Sequence, residues 1–234
     1  MVKCRSYRYQ NEMVKETVID MKLILFLSLL VAQGCSSVTP RSLGGLDPAI
    51  EQAILVTPIQ RSVDQANLSA WQRQKSSWRR VFFVSAVIGK NGLAAAGEKR
   101  EGDGKTPSGI YLIGPAFGYA PWIDTGLVYR QATDKDFWVD DAGSMQYNEW
   151  ISGSPAARSF ERMKRPDDLY LYGAVIGYNM HPVIPGNGSA IFMHIWRKYD
   201  HPTSGCVALG RRNLRRTLHW LNRKYQPVII LERN

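Results

Sequence analysis

The sequence predicts a mainly β fold, a mixed β domain of sandwich or barrel type, and three observations carry that expectation. Short runs rich in Val, Ile, Phe and Tyr recur along the chain, bounded by Gly, Pro, Asn and Asp. Only residues 211–224 place leucines (Leu214, Leu218, Leu221) at helical spacing with arginines opposite, the pattern of one amphipathic surface helix. With 234 residues, 44% hydrophobic and 21% charged, the chain has the length and apolar content for one large domain or two small ones.

The N-terminus is a separate matter. Residues 1–20 carry mixed charge and no apolar period, and are expected to precede a start at Met21. Met21-Lys22 is followed by an apolar run over residues 23–32, too short to span a bilayer but suited to the h-region of a secretory signal. A buried core helix is the alternative. The run ends in Gln33-Gly34-Cys35-Ser36-Ser37, which resembles a bacterial lipoprotein signal in which the cysteine is lipidated; Gln33 departs from the small residue that pattern prefers. Residues 21–35 are therefore expected to be a signal peptide with a candidate lipobox at Cys35. Residues 36–47, rich in Ser, Pro, Gly and Thr, are a tether, and the globular domain begins at residue 48. The protein is expected to be exported to the periplasm or cell envelope, with membrane contact through a lipid on Cys35.

Within the domain, residues 53–57 form a first strand stopped by Pro58. Residues 66–72 and 78–88 make a hairpin, with a helix over residues 67–75 as the competing assignment. Lys90-Asn91-Gly92 is a turn. Residues 97–114 (G-E-K-R-E-G-D-G-K-T-P-S-G-I-Y-L-I-G) form a glycine loop leading into a strand. No helix follows those glycines, and Pro107 follows the Lys-Thr pair, so the loop is a structural turn rather than a phosphate cradle. Residues 117–168 are aromatic and loop-like, with Asp134, Asp136, Asp140 and Asp141 taken as solvated charges. Such an insertion is suited to lining a substrate cleft. Residues 169–178 form a buried strand, 181–188 a loop, 190–195 the next strand and 227–232 the last.

The net charge of +10 suits anionic surroundings, but its basic groups are scattered and no RNA- or DNA-binding motif is present, so nucleic acid is not expected as a partner. None of the four histidines stands at metal-ligand spacing from the aspartates, so neither metal nor cofactor is expected.

The chemistry concentrates in residues 189–209, S-A-I-F-M-H-I-W-R-K-Y-D-H-P-T-S-G-C-V-A-L. Cysteine is the strongest nucleophile among side chains at neutral pH, but only as thiolate, so it needs a base or dipole nearby. His194 ends a strand, and a returning loop brings the chain to Cys206. Once Cys4 and Cys35 are set aside, Cys206 is the sole thiol of an exported domain, a compartment in which cysteines are usually paired. Gly205 permits tight backbone geometry and backbone amides aimed at an oxyanion, while Thr203 and Ser204 offer hydroxyls to orient imidazole or substrate. His201 is a rival base. A buried structural cysteine beside a core histidine is the alternative to catalysis.

The motifs G-D-G-K-T-P-S-G-I-Y, I-G-Y-N, G-S-A-I-F-M-H-I-W and P-T-S-G-C-V-A-L, in that order, resemble the L,D-transpeptidase (YkuD-type) catalytic domain, in the branch whose cysteine motif reads T-(A/S)-G-C. The resemblance implies a β-sandwich-like fold over residues 48–234, with Cys206 as nucleophile, His194 as base and Gly205 in the nucleophile turn of the oxyanion hole. It assigns supporting roles to Thr203 and Ser204 and substrate contact to Tyr178, Asn179 and Trp196. Peptidoglycan stem peptides would be the partner. Cys206 would attack the carbonyl of the third residue of a tetrapeptide stem, D-Ala would leave, and the acyl group would pass to another stem's side-chain amine. Carbapenems would be expected to acylate the same thiol. Better-known members have a histidine where this chain has Ser204, and often a polar or basic residue where it has Val207 and Ala208. Transfer to water (an L,D-carboxypeptidase or crosslink-cleaving peptidase) and a non-catalytic peptidoglycan-binding protein are the alternatives.

Overall fold

Apolar residues that alternate with polar ones along short extended runs can bury only one face, and the chain solves this by closing its main sheet. The computed structural model describes residues 39–233, so the start-site, export-signal and Cys35 expectations lie outside the described residues. The strands are β1 (Gln52–Pro58), β2 (Gln65–Gln74), β3 (Ser77–Val87), β4 (Gly109–Gly118), β5 (Tyr129–Gln131), β6 (Asp136–Val139), β7 (Trp150–Ser152), β8 (Phe160–Arg162), β9 (Tyr172–Ile176), β10 (Phe192–Ile195), β11 (Val207–Leu209) and β12 (Val228–Leu231). Helices are α1 (Arg41–Gly44) and α2 (Arg211–Trp220), with a 3-10 turn at Arg223–Tyr225.

The nine-stranded sheet runs β12-β1-β2-β3-β11-β10-β9-β4-β5, and β12 also pairs with β4. Strand β4 makes this possible. Its first half (Gly109 to Leu112) pairs with β12 and its second half with β9, with an irregularity between Ile113 and Ala116. The result is a barrel-like sandwich with few open edges.

The main core fills the barrel with Ile54, Val56, Leu68, Phe82, Met193, Val207 and Ile229, and α2 covers it with Leu214 and Leu218. Strand β1 is buried on both faces, Ile54 and Val56 inward, Ala53 and Leu55 against Trp71 and Trp78, as its near-continuous apolar run requires.

A separate three-stranded sheet, β7-β6-β8, lies within the segment expected to be irregular. That expectation missed it because the strands span only three or four residues each, too few for alternation to register. Its Trp138 and Trp150 stand edge-on to Phe192 and Phe117 of β10 and β4. Gly173 of β9 allows this packing, since a Cβ there would lie 2.5 Å from the Phe117 ring. Asn148 ties the insertion down: its side chain accepts from Trp138 Nε1 (2.9 Å) and Ala190 N–H (3.1 Å) and donates to the Tyr178 and Asn179 carbonyls.

Other boundaries also differ from expectation. Leu43 and Leu46, assigned to the tether, are buried, and Trp78 donates its indole N–H to the Leu43 carbonyl at 3.0 Å. The hairpin β2–β3 forms and the competing helix does not; α2 is shorter than residues 211–224, and β9 occupies only part of residues 169–178.

Asp136 is the clearest departure. Rather than a solvated charge it is buried, accepting from Thr133 N–H and Oγ1, Trp150 Nε1 and Ser152 Oγ, with Arg130 at 3.3 Å. Burial alone would raise its pKa, but the hydrogen bonds from Ser152, Thr133 and Trp150 outweigh this and hold it well below the usual carboxylate range. Asp136→Ala is expected to cost roughly 3 kcal/mol in urea unfolding at neutral pH, because it strands buried donors. Since the folded pKa is depressed, this contribution is complete above about pH 4, the unfolded value, and fades as pH falls below it.

Candidate active site

Strands β10 and β11 run parallel, with Met193 opposite Val207 and His194 opposite Ala208. Side chains alternate, so Met193, Ile195, Val207 and Leu209 enter the main core. Phe192 and His194, with Cys206 and Ala208, take the opposite face, toward the small sheet. Ala208 is small enough to leave a space beside the imidazole. Cys206 and His194 are both buried and both line a cavity of about 220 Å³.

The turn that presents Cys206 is held by hydroxyls. Thr203 Oγ1 donates to the Cys206 carbonyl at 2.7 Å and accepts from Gly205 N–H at 3.1 Å. Thr106, fully buried in the glycine loop, accepts from Gly89 N–H at 2.9 Å and donates to the same Cys206 carbonyl. The backbone of Thr203 is bracketed by Ile88 and Lys90. Gly205 has φ +156°, and a Cβ there would lie 2.9 Å from the Lys105 carbonyl oxygen. The glycine loop thus acts as the structural turn expected of it, and its object is the cysteine turn. Thr203 serves the backbone and not the imidazole; Ser204 is exposed beside the cavity.

His194 Nδ1 lies 2.7 Å from the Ile195 carbonyl oxygen. Burial pushes the imidazole pKa down to about 4, partly offset by that carbonyl, so the ring is neutral at pH 7. Nδ1 is then the donor and Nε2 carries the lone pair. Burial, and next the charge of Glu161, push the Cys206 thiol up to about 12. Sγ donates to the Ala190 carbonyl and accepts from Phe192 N–H, each at 3.3 Å. No hydrogen bond joins Sγ to the imidazole among the described residues, and the pair rests as thiol and neutral base.

The family model for the L,D-transpeptidase catalytic domain, YkuD, matches residues 61–230. The chain belongs to the YkuD family. Among solved structures it is similar to Bdellovibrio bacteriovorus Bd1075, at 18% identity and a TM-score of 0.44, over 78% of this chain and 48% of that one. The chain therefore spans about half the length of that protein. A search of curated proteins finds no match.

In this YkuD domain the other expected site residues are scattered. Trp196, His201, Thr203 and Ser204 line the His194 cavity, and Gly205 lines a neighbouring one. Tyr178 and Asn179 line neither. Tyr178 stands edge-on to Tyr111 and donates to the Asn187 carbonyl, and Asn179 shapes the following loop through Ile184 and Gly188. His219 is on the surface with Asp124. A roomier cavity, about 670 Å³ between Trp122 and the arginines of α2, contains neither Cys206 nor His194. No metal-binding cluster occurs among the described residues.

Sequence reasoning missed Tyr170, Glu161 and Arg165. Tyr170 is buried, its ring 5.3 Å edge-on to His194 and 5.5 Å from Phe192, and its hydroxyl donates to Glu161. Arg165 stacks on the Tyr170 ring at 5.1 Å and holds Asp167 through Nε and Nη2. The only signal in the sequence was the aromatic and charged density of the insertion.

A thiol with so high a pKa has a small thiolate fraction at pH 7. Iodoacetamide alkylation of Cys206, resolved by peptide mapping from Cys4 and Cys35, is expected to accelerate about tenfold per pH unit between pH 7 and 10. A plateau near neutrality would contradict the neutral resting pair.

Proposed function

We propose that the protein is a cysteine acyltransferase of the bacterial cell envelope that acts on peptidoglycan stem peptides through a thioester on Cys206, with His194 as base. Membership of the YkuD family supports the reaction class. The observation that carries the residue roles is the shared cavity: a buried thiol just before β11 and a neutral imidazole on the adjacent parallel β10, with Nδ1 fixed by Ile195 and Nε2 left as acceptor.

In this reading His194 Nε2 takes the Cys206 proton as Sγ attacks the carbonyl carbon of the third stem residue. Charge separation in the buried site is unfavourable before substrate arrives, so proton transfer accompanies attack. Backbone N–H groups of the nucleophile turn receive the oxyanion. Gly205 N–H is already committed to Thr203 Oγ1, so Gly205 serves by its shape, and other amides of the turn carry that contact. The imidazolium then protonates the departing D-Ala amine, the C–N bond breaks, and the thioester remains. Arg165 and Arg197, lining the same cavity and sharing Asp167, are suited to the D-Ala carboxylate. The acyl group passes to the amine of a second stem. The site belongs outside the cytoplasm, held to a membrane if Cys35 carries lipid.

Incubation of the protein with disaccharide-tetrapeptide tests this. Crosslinked dimer is the expected product, and tripeptide alone would mark a hydrolase with the same first half-reaction. Cys206→Ala is expected to abolish D-Ala release, and His194→Ala to slow it by roughly 10²–10⁴-fold with the fold intact by circular dichroism. D-Ala release that persists in Cys206→Ala would overturn the assignment, and full activity in His194→Ala would move the base role to His201.

A further inference from the structure

Cys206 stands at the junction of two cavities. The first is lined by His194, Arg165 and Arg197; the second, about 150 Å³, is lined by Glu101 and Asp140. His194 lines only the first. Glu161 lines both, with Cys206 and Ser204.

Glu161 is placed there by the small sheet. It pairs with Trp138 across β8 and β6, and Trp138 faces Phe192, so the tryptophan that docks the sheet fixes the carboxylate beside it. The buried Tyr170 hydroxyl donates to Glu161 Oε2 at 2.5 Å, while the same ring stands against His194. Tyr170 is the one side chain that hydrogen-bonds this carboxylate among the described residues, and Glu161 stands on an edge strand beside the thiol. Asp140, one residue past the end of β6, adds a second observation: the residue lines the same second cavity, and its Oδ1 is buried without a hydrogen-bond partner. An unsatisfied buried acceptor invites a donor from a ligand.

We propose that Glu161 is a second proton-transfer residue, which deprotonates the acceptor ammonium as it approaches the Cys206 thioester through the second cavity, while Asp140 holds that ammonium in place. The inference rests on the Cys206 acyl-enzyme reading above. An alkylamine acceptor arrives protonated at neutral pH and cannot attack until it loses a proton. The Glu161 carboxylate accepts this proton. The free amine attacks the thioester carbon, forming the C–N bond; neutral His194 takes a second proton from that nitrogen. The C–S bond breaks, and the departing Sγ recovers its proton from the imidazolium. Glu161 releases its proton to solvent. The sum is thioester plus alkylammonium giving thiol, amide and one proton, and it leaves both residues as they began.

The groups facing Glu161 suit this role. Burial raises its pKa, Tyr170 and Arg165 lower it, and Asp140 and Glu101 raise it, with the net effect upward, so the carboxylate is a stronger base than a solvated one. The second cavity also has two lysines, Lys99, paired with Asp103 at 2.8 Å, and the exposed Lys90, against the three carboxylates of Glu101, Asp140 and Glu161. The two cavities then differ in sign: arginines where a carboxylate leaves, carboxylates where an ammonium enters.

The test uses the full-length protein, disaccharide-tetrapeptide as donor, and two acceptors compared side by side: a primary alkylamine, charged at neutral pH, and hydroxylamine, which is uncharged there. In Glu161→Gln, transfer to the alkylamine is expected to fall at least about 100-fold while transfer to hydroxylamine falls far less. Intact mass of the acyl-enzyme in the same variant reports the first half-reaction. Tyr170→Phe, which keeps the carboxylate but removes its donor, is expected to move the acid limb of alkylamine transfer to higher pH. Equal losses with both acceptors, or an unmoved limb in Tyr170→Phe, would overturn the role of Glu161 while leaving the acyl-enzyme intact. A wild-type acyl-enzyme that neither amine intercepts would overturn it too, and absence of any acyl-enzyme would remove the reading on which it rests.

Discussion

The parallel pairing of β10 with β11 is the constraint on which the site depends. Because side chains alternate along a strand, the register that sends Met193, Ile195, Val207 and Leu209 into the main core necessarily sends His194 and Cys206 to the other face. A slip of one residue would bury the imidazole in the barrel and expose the core. The thiol and the imidazole are therefore held by the same hydrophobic contacts that hold the domain together. The supporting turn follows the same logic: Thr203 and Thr106 converge on the Cys206 carbonyl, and Gly205 lets the glycine loop come within contact of the strand start.

That placement has an electrostatic consequence. A face closed over by Trp138, Phe117, Tyr170 and Phe192 is apolar, which keeps the thiol protonated and the imidazole neutral. The resting pair is therefore inert toward casual electrophiles. The small sheet that supplies the apolar cover also delivers Glu161, so exclusion of water and delivery of charge come from one insertion.

Much of this could be read from the sequence, for identifiable reasons. The alternation in F-M-H-I and the glycine before Cys206 are local signals, and the motifs around them carry the family. The hairpin β2–β3, the last strand and the amphipathic helix α2 were legible because their periodicity extends over enough residues. The small sheet was not, since its strands are too short, and Asp136 looked like a surface charge because the donors that satisfy it, Thr133, Trp150 and Ser152, gather only in three dimensions. Leu43 and Leu46 were lost in a Ser/Gly-rich background. Motif membership points to Tyr178 and Asn179 as substrate contacts; in the structure their carbonyls and side chains anchor the insertion and the loop before β10. Glu161 and Arg165 were invisible because nothing in sequence relates β8 and its following loop to a cysteine far downstream.

The central claim is that Cys206 is an acylating nucleophile, and intact-mass spectrometry after incubation with a carbapenem tests it most directly. A single covalent adduct is expected that maps to the Cys206 peptide and disappears in Cys206→Ala. Folded wild-type protein that gains no adduct, or an adduct that survives in Cys206→Ala, would contradict it.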